Sequence, residues 1–519
     1  MARALTKTAF LEGRQCDLRL WRTGQGIAEY SVGDGDMDPV ADFIAESALV
    51  ESYAYDLFPG GVGIIEPVND DEEAEVRPNR DARIESTRHA LADPNTTAIF
   101  QAHLAADSLF GIVDILEKSD SGWIVVEVKA STGVKSIHHV DLAFQVHLAR
   151  ACGLTVVGAA VVHLNKEYEY SGGDMRADSL LSRVDVTQKV FGLDDLVTKE
   201  IERQQRVLRD PEPVVAPSSR CKGSPDSKAA DRPSTCGHLS SQGACGSGLA
   251  REWAWYIPKL SGAAKLAAVS NLPKPDMRLL DPQHPTQKWS PYQQAAIQAA
   301  IDGEAQVDRN KLRGELEQLV WPVTYMDFEY ETGMAVPRFV GTRPYQQIPF
   351  QWSMHIQPTP GAPLDRPEPF LHTTKEDPRR PFIESLLAAL PDSGSIVVHS
   401  SGAEMGVLNR FKDWFGDEFA LCVPAIEARI VDTHAITHET YCHPDQRGSW
   451  SIKRLAEPLT GGGYKDLDVQ DGMEAVRRWR KVVRGEDPNP ELTIAHLREY
   501  CGRDTELMHD VLESLRKLL

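Results

Sequence analysis

A β-strand that is apolar on one face and doubly acidic on the other can be buried only if its acids reach solvent or cations. The segment PVTYMDFEYE reads as such a strand: Met326 and Phe328 share one face, Asp327 and Glu329 the other. A second acidic strand lies upstream. LFGIVDIL and WIVVEVK are β-branched runs on either side of the turn-like EKSDSG, which signals a hairpin. The mean of positions 114 and 127 falls inside that turn, so strands paired around it set Asp114 opposite or diagonal to Glu127. Glu127 and Lys129 share a face because side chains alternate along a strand. Two carboxylates and an ammonium then converge within ~4.5–8 Å.

The text around both strands is of α/β type. After the hairpin, HHVDLAFQVHLARACG has helical spacing and stops at a glycine, and LTVVGAAVVHLN follows as a buried strand. Residues 211–250 are rich in Pro, Ser and Gly, and 251–320 show helical patches broken by Pro-rich pieces. From Trp321 a second α/β pattern runs through FQWSMHIQ and SIVVHS to a final helix, TIAHLREYCGRDTELMHDVLESLRKLL. Three segments are expected: 1–250, 251–318 as a helical connector, and 319–519. The length of 519 residues suits two to four domains at ~150 residues each.

The 41% hydrophobic and 25% charged fractions are those of ordinary globular protein. No run of about 18 apolar residues occurs, and MARALTKTAFLEG has no apolar signal core, so a cytoplasmic chain with no membrane partner is expected. The net charge of −20 argues against nonspecific coating of polyanions but leaves room for a local basic channel.

Two hard carboxylates such as Asp114 and Glu127 suit Mg²⁺ or Mn²⁺, which take oxygen ligands. Lys129 could hold an attacking water or offset charge on a phosphate, and Gln145, on the following helix, could orient the group. The plainer alternative is a cross-strand ion pair on a solvated face, with Val126 and Val128 in the core. In the C-terminal segment, Tyr500 and Asp504 stand four apart on a helix and share a face. Between them and the acidic strand, SIVVHSSGAEMGVL is a strand, a loop and a helix start carrying Glu404; Asp432, in VDTHAI, is the nearest rival for the middle acid. Four carboxylates can hold two divalent ions ~3.5–4 Å apart that activate water for phosphodiester hydrolysis, and a tyrosine hydroxyl can position that water. Here the alternative is solvated acids and a tyrosine packed on the core.

Asp114, the Glu127–Lys129 pair and the helix with Gln145 resemble the PD-(D/E)xK nucleases of the RecB and CRISPR-adaptation type. Gln101 occupies a place where that resemblance leads one to expect glutamate, and Ala149 one where tyrosine is often found. The resemblance implies an iron–sulfur cluster held by one cysteine near the N-terminus and three after the nuclease core. Cys16 matches the first, and Cys221, Cys236 and Cys245 the rest, with wider spacing than usual. Four thiolates suit a [4Fe–4S] cluster or zinc, and the lack of short C-x₂₋₄-C pairs favours iron–sulfur.

Asp327 and Glu329, Glu404, and the Tyr500–Asp504 pair resemble the DnaQ-like DEDD exonucleases of the ribonuclease-H-like fold, in their tyrosine variant. GTRPYQQIPFQWSMHI, RGSWSIKRLAEPLT and YCGRDT further resemble a bacterial family that joins both halves and had long lacked an assigned function. The resemblance implies a two-site, metal-dependent nuclease with 3′→5′ exonuclease activity, DNA favoured over RNA, in repair or phage defence. It makes Arg343, Gln351, Ser451 and Lys453 candidate substrate contacts. Two competing readings stay open: a nucleic-acid-binding scaffold with a degenerate N-terminal nuclease fold, and an RNA-trimming exonuclease. No Walker-type phosphate loop occurs, so ATPase or helicase activity is not expected.

Overall fold

In the computed structural model, which describes residues 4–26, 39–64, 80–215 and 250–519, the hairpin is formed by Leu109–Ser119 and Gly122–Lys129. Ser119 faces Gly122 and the ladder runs out to Ile115 facing Val126, so the next pair outward is Asp114 and Glu127. These strands are central in a seven-stranded mixed sheet. Helix Ser136–Ala151 is the crossover to the parallel strand Val156–Leu164. It covers one face with Phe144 and Leu148, while Val50 and Ala54 of helix Pro39–Tyr55 pack with Ile115 and Val126 on the other.

The chain divides into two compact units, Met1–Gly248 with Gly333–Tyr345, and Leu249–Thr332 with Gln346–Leu519. Two expected boundaries therefore change. Helices Ala263–Ser270, Pro291–Asp302 and Arg309–Glu317 form as their spacing predicts, but they belong to the second unit rather than to a separate connector. Residues 333–345, placed with the C-terminal domain by sequence order, belong to the first. There Ala335 and Val336 enter the core, and the Glu46 carboxylate accepts the Ala335 N–H at 2.9 Å and the Arg338 guanidinium at 2.7 Å. The Tyr345 hydroxyl donates to the carbonyl of Ala130, the residue after Lys129.

The second unit is built on a five-stranded sheet in the order Phe370–Leu371, Ile348–Gln357, Val323–Glu331, Ile396–Val398, Ile430–Asp432. The first three strands are antiparallel neighbours and the last two run parallel to the central one. Met326 and Phe328 pack under helices Arg379–Ala389 and Gly402–Phe415, as the alternation predicts. The opposite face meets the 28-residue helix Pro490–Lys517. A polar row fixes that contact. Gln351 donates to the Leu497 carbonyl at 2.9 Å, Ser353 to the Cys501 carbonyl at 2.7 Å, and His355 Nδ1 lies 2.7 Å from Thr505 Oγ1. Gln357 Nε2 completes it, 3.4 Å from His509. A period of two on the strand meets a period of four on the helix, so a slip of either would strand buried polar groups.

Candidate functional site

The polar row sets one acidic centre. In the antiparallel ladder Gln351 faces Glu329 and Ser353 faces Asp327, so the two strand acids look toward the stretch of helix that carries Tyr500, Cys501 and Asp504. Cys501 Sγ lies 3.8 Å from Asp327 Oδ2, and one donor atom each from Asp327, Glu329 and Cys501 all fall within 4.8 Å of one another. Asp504 accepts a hydrogen bond from the Tyr464 hydroxyl. Glu404 stands in the first turn of helix Gly402–Phe415, 3% exposed, and its Oε2 has no hydrogen-bond partner. Gly472 brings bare backbone against the centre: a Cβ there would stand 3.6 Å from Glu329 Oε2 and 3.9 Å from the Tyr500 hydroxyl.

The electrostatics are those of crowded like charges. Burial, then the charges of Asp504, Glu329 and Glu404, push Asp327 well above the carboxylate range. Burial and Asp504 do the same to Glu329, against the pull of Lys453. Burial, helped by Asp432 and Asp504, raises Glu404 to about 8. Burial lifts Asp504 to about 6 although the Tyr464 hydrogen bond and Lys453 oppose it. Each shift says that the ionised centre lacks positive charge.

Asp432, the rival for the middle acid, has other employment. Its carboxylate accepts the N–H groups of Ser400, Ser401 and His434, each at 2.9 Å, and caps helix Thr433–Thr440. Burial acts upward on it, but the Ser401 and Ser400 N–H groups outweigh that and hold it below its ordinary value. Glu404, with its spare oxygen, is the better placed of the two.

The four candidate substrate contacts separate. Lys453 is at the centre, its ammonium 5.0 Å from the Tyr464 ring centroid and 5.6 Å from that of Tyr500, donating to the Gln470 carbonyl. Ser451 is exposed just before helix Ile452–Thr460. Gln351 is fully buried in the polar row, so it holds the helix rather than a substrate. Arg343 lies in the first unit, 3.4 Å from Glu167 and 3.2 Å from Glu169, and not in the unit that holds Asp327, Glu329, Glu404 and Asp504.

The first unit brings Asp114, Glu127, Lys129 and Gln145 together. Asp114 Oδ2 accepts the Val128 N–H at 2.8 Å, Gln145 donates to Glu127 at 2.5 Å, and Lys129 pairs with Glu127 and, at 2.8 Å, with Asp141. Glu127 is 1% exposed, which removes the solvated-face alternative for it. Three participants were missed in the sequence. Lys7, at the start of helix Lys7–Gln15, lies 2.9 Å from Glu127 Oε1. Asp141 stands four before Gln145 on one helix, a spacing that could have revealed it. Glu51, from helix Pro39–Tyr55, accepts from Gln101 and from the Tyr55 hydroxyl. Burial raises Asp114, reinforced by Glu127, while burial of Glu127 is outweighed by Lys7 and Lys129, which hold it low. Cys16 joins helices Lys7–Gln15 and Asp17–Gln25; Cys221, Cys236 and Cys245 lie outside the described residues.

No helix among the described residues is long and apolar enough to cross a membrane. Residues 324–451 match a family described as a domain of unknown function, DUF2779. The match takes in Asp327, Glu329, Glu404 and Asp432 and stops before Tyr500 and Asp504. No curated protein matches the chain at a significant level.

Proposed function

We propose that the second unit is a divalent-metal-dependent nuclease that hydrolyses phosphodiester bonds of nucleic acid, DNA in the first instance, from the 3′ end. The observation that carries this reading is the gathering of Asp327, Glu329, Glu404 and Asp504, from one strand and two helices, into a buried centre whose ionised form lacks positive charge. Those four side chains would hold the ions, and the unpartnered Oε2 of Glu404 fits that role. Bound Mg²⁺ or Mn²⁺ supplies an activated water and stabilises the leaving oxygen. Tyr500, whose hydroxyl comes up to the same Gly472 backbone as Glu329 Oε2, would orient the attacking water. Lys453 meets the phosphate, since its charge already acts on Glu329 and Asp504. The mixed five-stranded sheet with acids on its central strand supports the ribonuclease-H-like expectation.

In the first unit Asp114 and Glu127 would hold an ion of a second, PD-(D/E)xK-type site, with Lys129 toward the water or phosphate and Gln145 fixing Glu127. One observation favours the scaffold alternative for this half: Lys7, Lys129 and Gln145 already satisfy the Glu127 carboxylate. The test uses the full-length protein with Mg²⁺ or Mn²⁺ on end-labelled single- and double-stranded DNA and RNA. Mononucleotide release from the 3′ end that Asp327→Asn abolishes is the expected result. Cleavage remaining in Asp327→Asn and lost on adding Lys129→Ala would assign the second site, and no cleavage of any substrate would overturn the proposal.

A further inference from the structure

Of the acidic centre's neighbours, Cys501 is the one whose chemistry the hydrolytic reading leaves unused. It is 0% exposed, sits between Tyr500 and Asp504 on their helix, and has its backbone carbonyl held by Ser353. Its sulfur shares a 4.8 Å cluster with one oxygen each of Asp327 and Glu329. An independent feature points the same way: Glu404, whose charge acts on Asp327, keeps a buried carboxylate oxygen without a partner.

We infer that this centre also takes a thiophilic divalent cation, of the zinc and cadmium class, through Asp327, Glu329 and Cys501, and that such an ion blocks the Mg²⁺-supported reaction. Zinc binds cysteine sulfur at ~2.3 Å and carboxylate oxygen at ~2.0–2.2 Å in four-coordinate geometry, so a small inward turn of these side chains completes three bonds. Mg²⁺ takes oxygen ligands in near-octahedral geometry and leaves the sulfur aside. One pocket thus offers oxygens to a hard ion and oxygens plus sulfur to a softer one. On binding, the Cys501 S–H proton passes to water and the thiolate bonds to the ion, with no change of oxidation state. The softer ion withdraws Asp327 and Glu329 from the hydrolytic arrangement. The metal site stands on the geometry; only the block on catalysis rests on the function proposed above.

The test is a Cd²⁺ titration of the full-length protein, followed by the ultraviolet thiolate-to-cadmium charge-transfer band. Cys501→Ser and Asp327→Asn are measured beside it, each checked for folding by circular dichroism. A saturable component present in the wild type, lost in Cys501→Ser and weakened in Asp327→Asn, is expected; thiols elsewhere contribute equally to all three. Superposable wild-type and Cys501→Ser titrations would overturn the inference, and if the serine variant fails to fold, an Asp327→Asn titration identical to wild type does so. Zinc inhibition of the Mg²⁺-dependent rate, compared between wild type and Cys501→Ser, separates the two proposals. A Cys501-dependent band without any hydrolysis would sink the nuclease reading alone. Hydrolysis with equal zinc sensitivity in Cys501→Ser and no Cys501-dependent band would sink the inference alone.

Discussion

Replacing Glu404 by glutamine should change how stability depends on pH. Glu404 shifts from an ordinary value of 4.5 to about 8 in the fold. The folded state therefore holds this proton more tightly than the unfolded chain. Its stabilising effect is full below pH 4.5 and is lost as pH rises toward about 8. Between pH 6.5 and 8 the unfolded chain has already ionised. Each pH unit then removes ~1.4 kcal/mol, less the partial ionisation of the folded group near pH 8, for a loss of ~1.6 kcal/mol. Glu404 is 3% exposed, so solvent screening reduces this little. The depressed histidines His138 and His399, both at about 4, and the raised acids Asp327, Glu329 and Asp504 are common to wild type and variant, so it is the difference between the two proteins that isolates Glu404. With a unit of this size losing ~2–4 °C per kcal/mol, this proton by itself should lower the wild-type melting temperature in EDTA by ~3–6 °C from pH 6.5 to 8. Glu404→Gln carries no such proton, so it should already melt above the wild type at pH 6.5, and the gap should widen by about that amount by pH 8. Saturating Mg²⁺ should raise the wild type more at pH 8 than at 6.5, because an ionised carboxylate is what the ion binds. Parallel wild-type and Glu404→Gln lines in EDTA would refute the placing of Glu404 in the buried centre's electrostatics.

Three further outcomes are expected. Tyr500→Phe should slow 3′ nucleotide release by only ~0.5–1.5 kcal/mol of barrier, since a hydrogen bond is lost and the carboxylates remain; single-turnover rates against Asp327→Asn measure it. Asp432→Ala removes a helix cap with its loop contacts and should lower unfolding free energy by ~1–2 kcal/mol in urea titration; unchanged stability with lost activity would make Asp432 the middle ligand after all. Lys7→Met deprives the buried Glu127 of a charged hydrogen bond and should cost ~1.5–3 kcal/mol. Equal urea midpoints for Lys7→Met and wild type would mean that this ion pair contributes nothing net.

What the sequence made legible was local periodicity. The alternation of Met326 and Phe328 with Asp327 and Glu329, the four-residue step from Tyr500 to Asp504, and the hairpin register that brings Asp114 to Glu127 all follow from strand and helix repeats. What stayed hidden came from afar. Lys7 and Glu51 reach their centre from separate helices, and no spacing in the chain announces them. Tyr464 comes from a loop. Gln351 carries the opposite lesson: the resemblance makes it a candidate substrate contact, yet its side chain belongs to a buried row whose partner periodicity lies on a helix much later in the chain. Arg343, a candidate contact by the same resemblance, joins the other unit, because a motif read along the chain does not say which core its segment enters.

The excursion of residues 333–345 constrains how this protein can be divided, by an experimenter or by recombination. The chain leaves the second unit after Thr332 and returns at Gln346, so neither unit's partner segment is a simple continuation of it in sequence. A fragment that stops before residue 333 deprives Glu46 of the Ala335 and Arg338 donors and removes Ala335 and Val336 from the core. A fragment of residues 249–519 carries those same apolar residues after its acidic strand without the core that they enter. A single cut therefore cannot part the two units cleanly: residues 1–345 carry the first unit whole but with 249–332 of the second, and residues 249–519 carry the second whole but with 333–345 of the first.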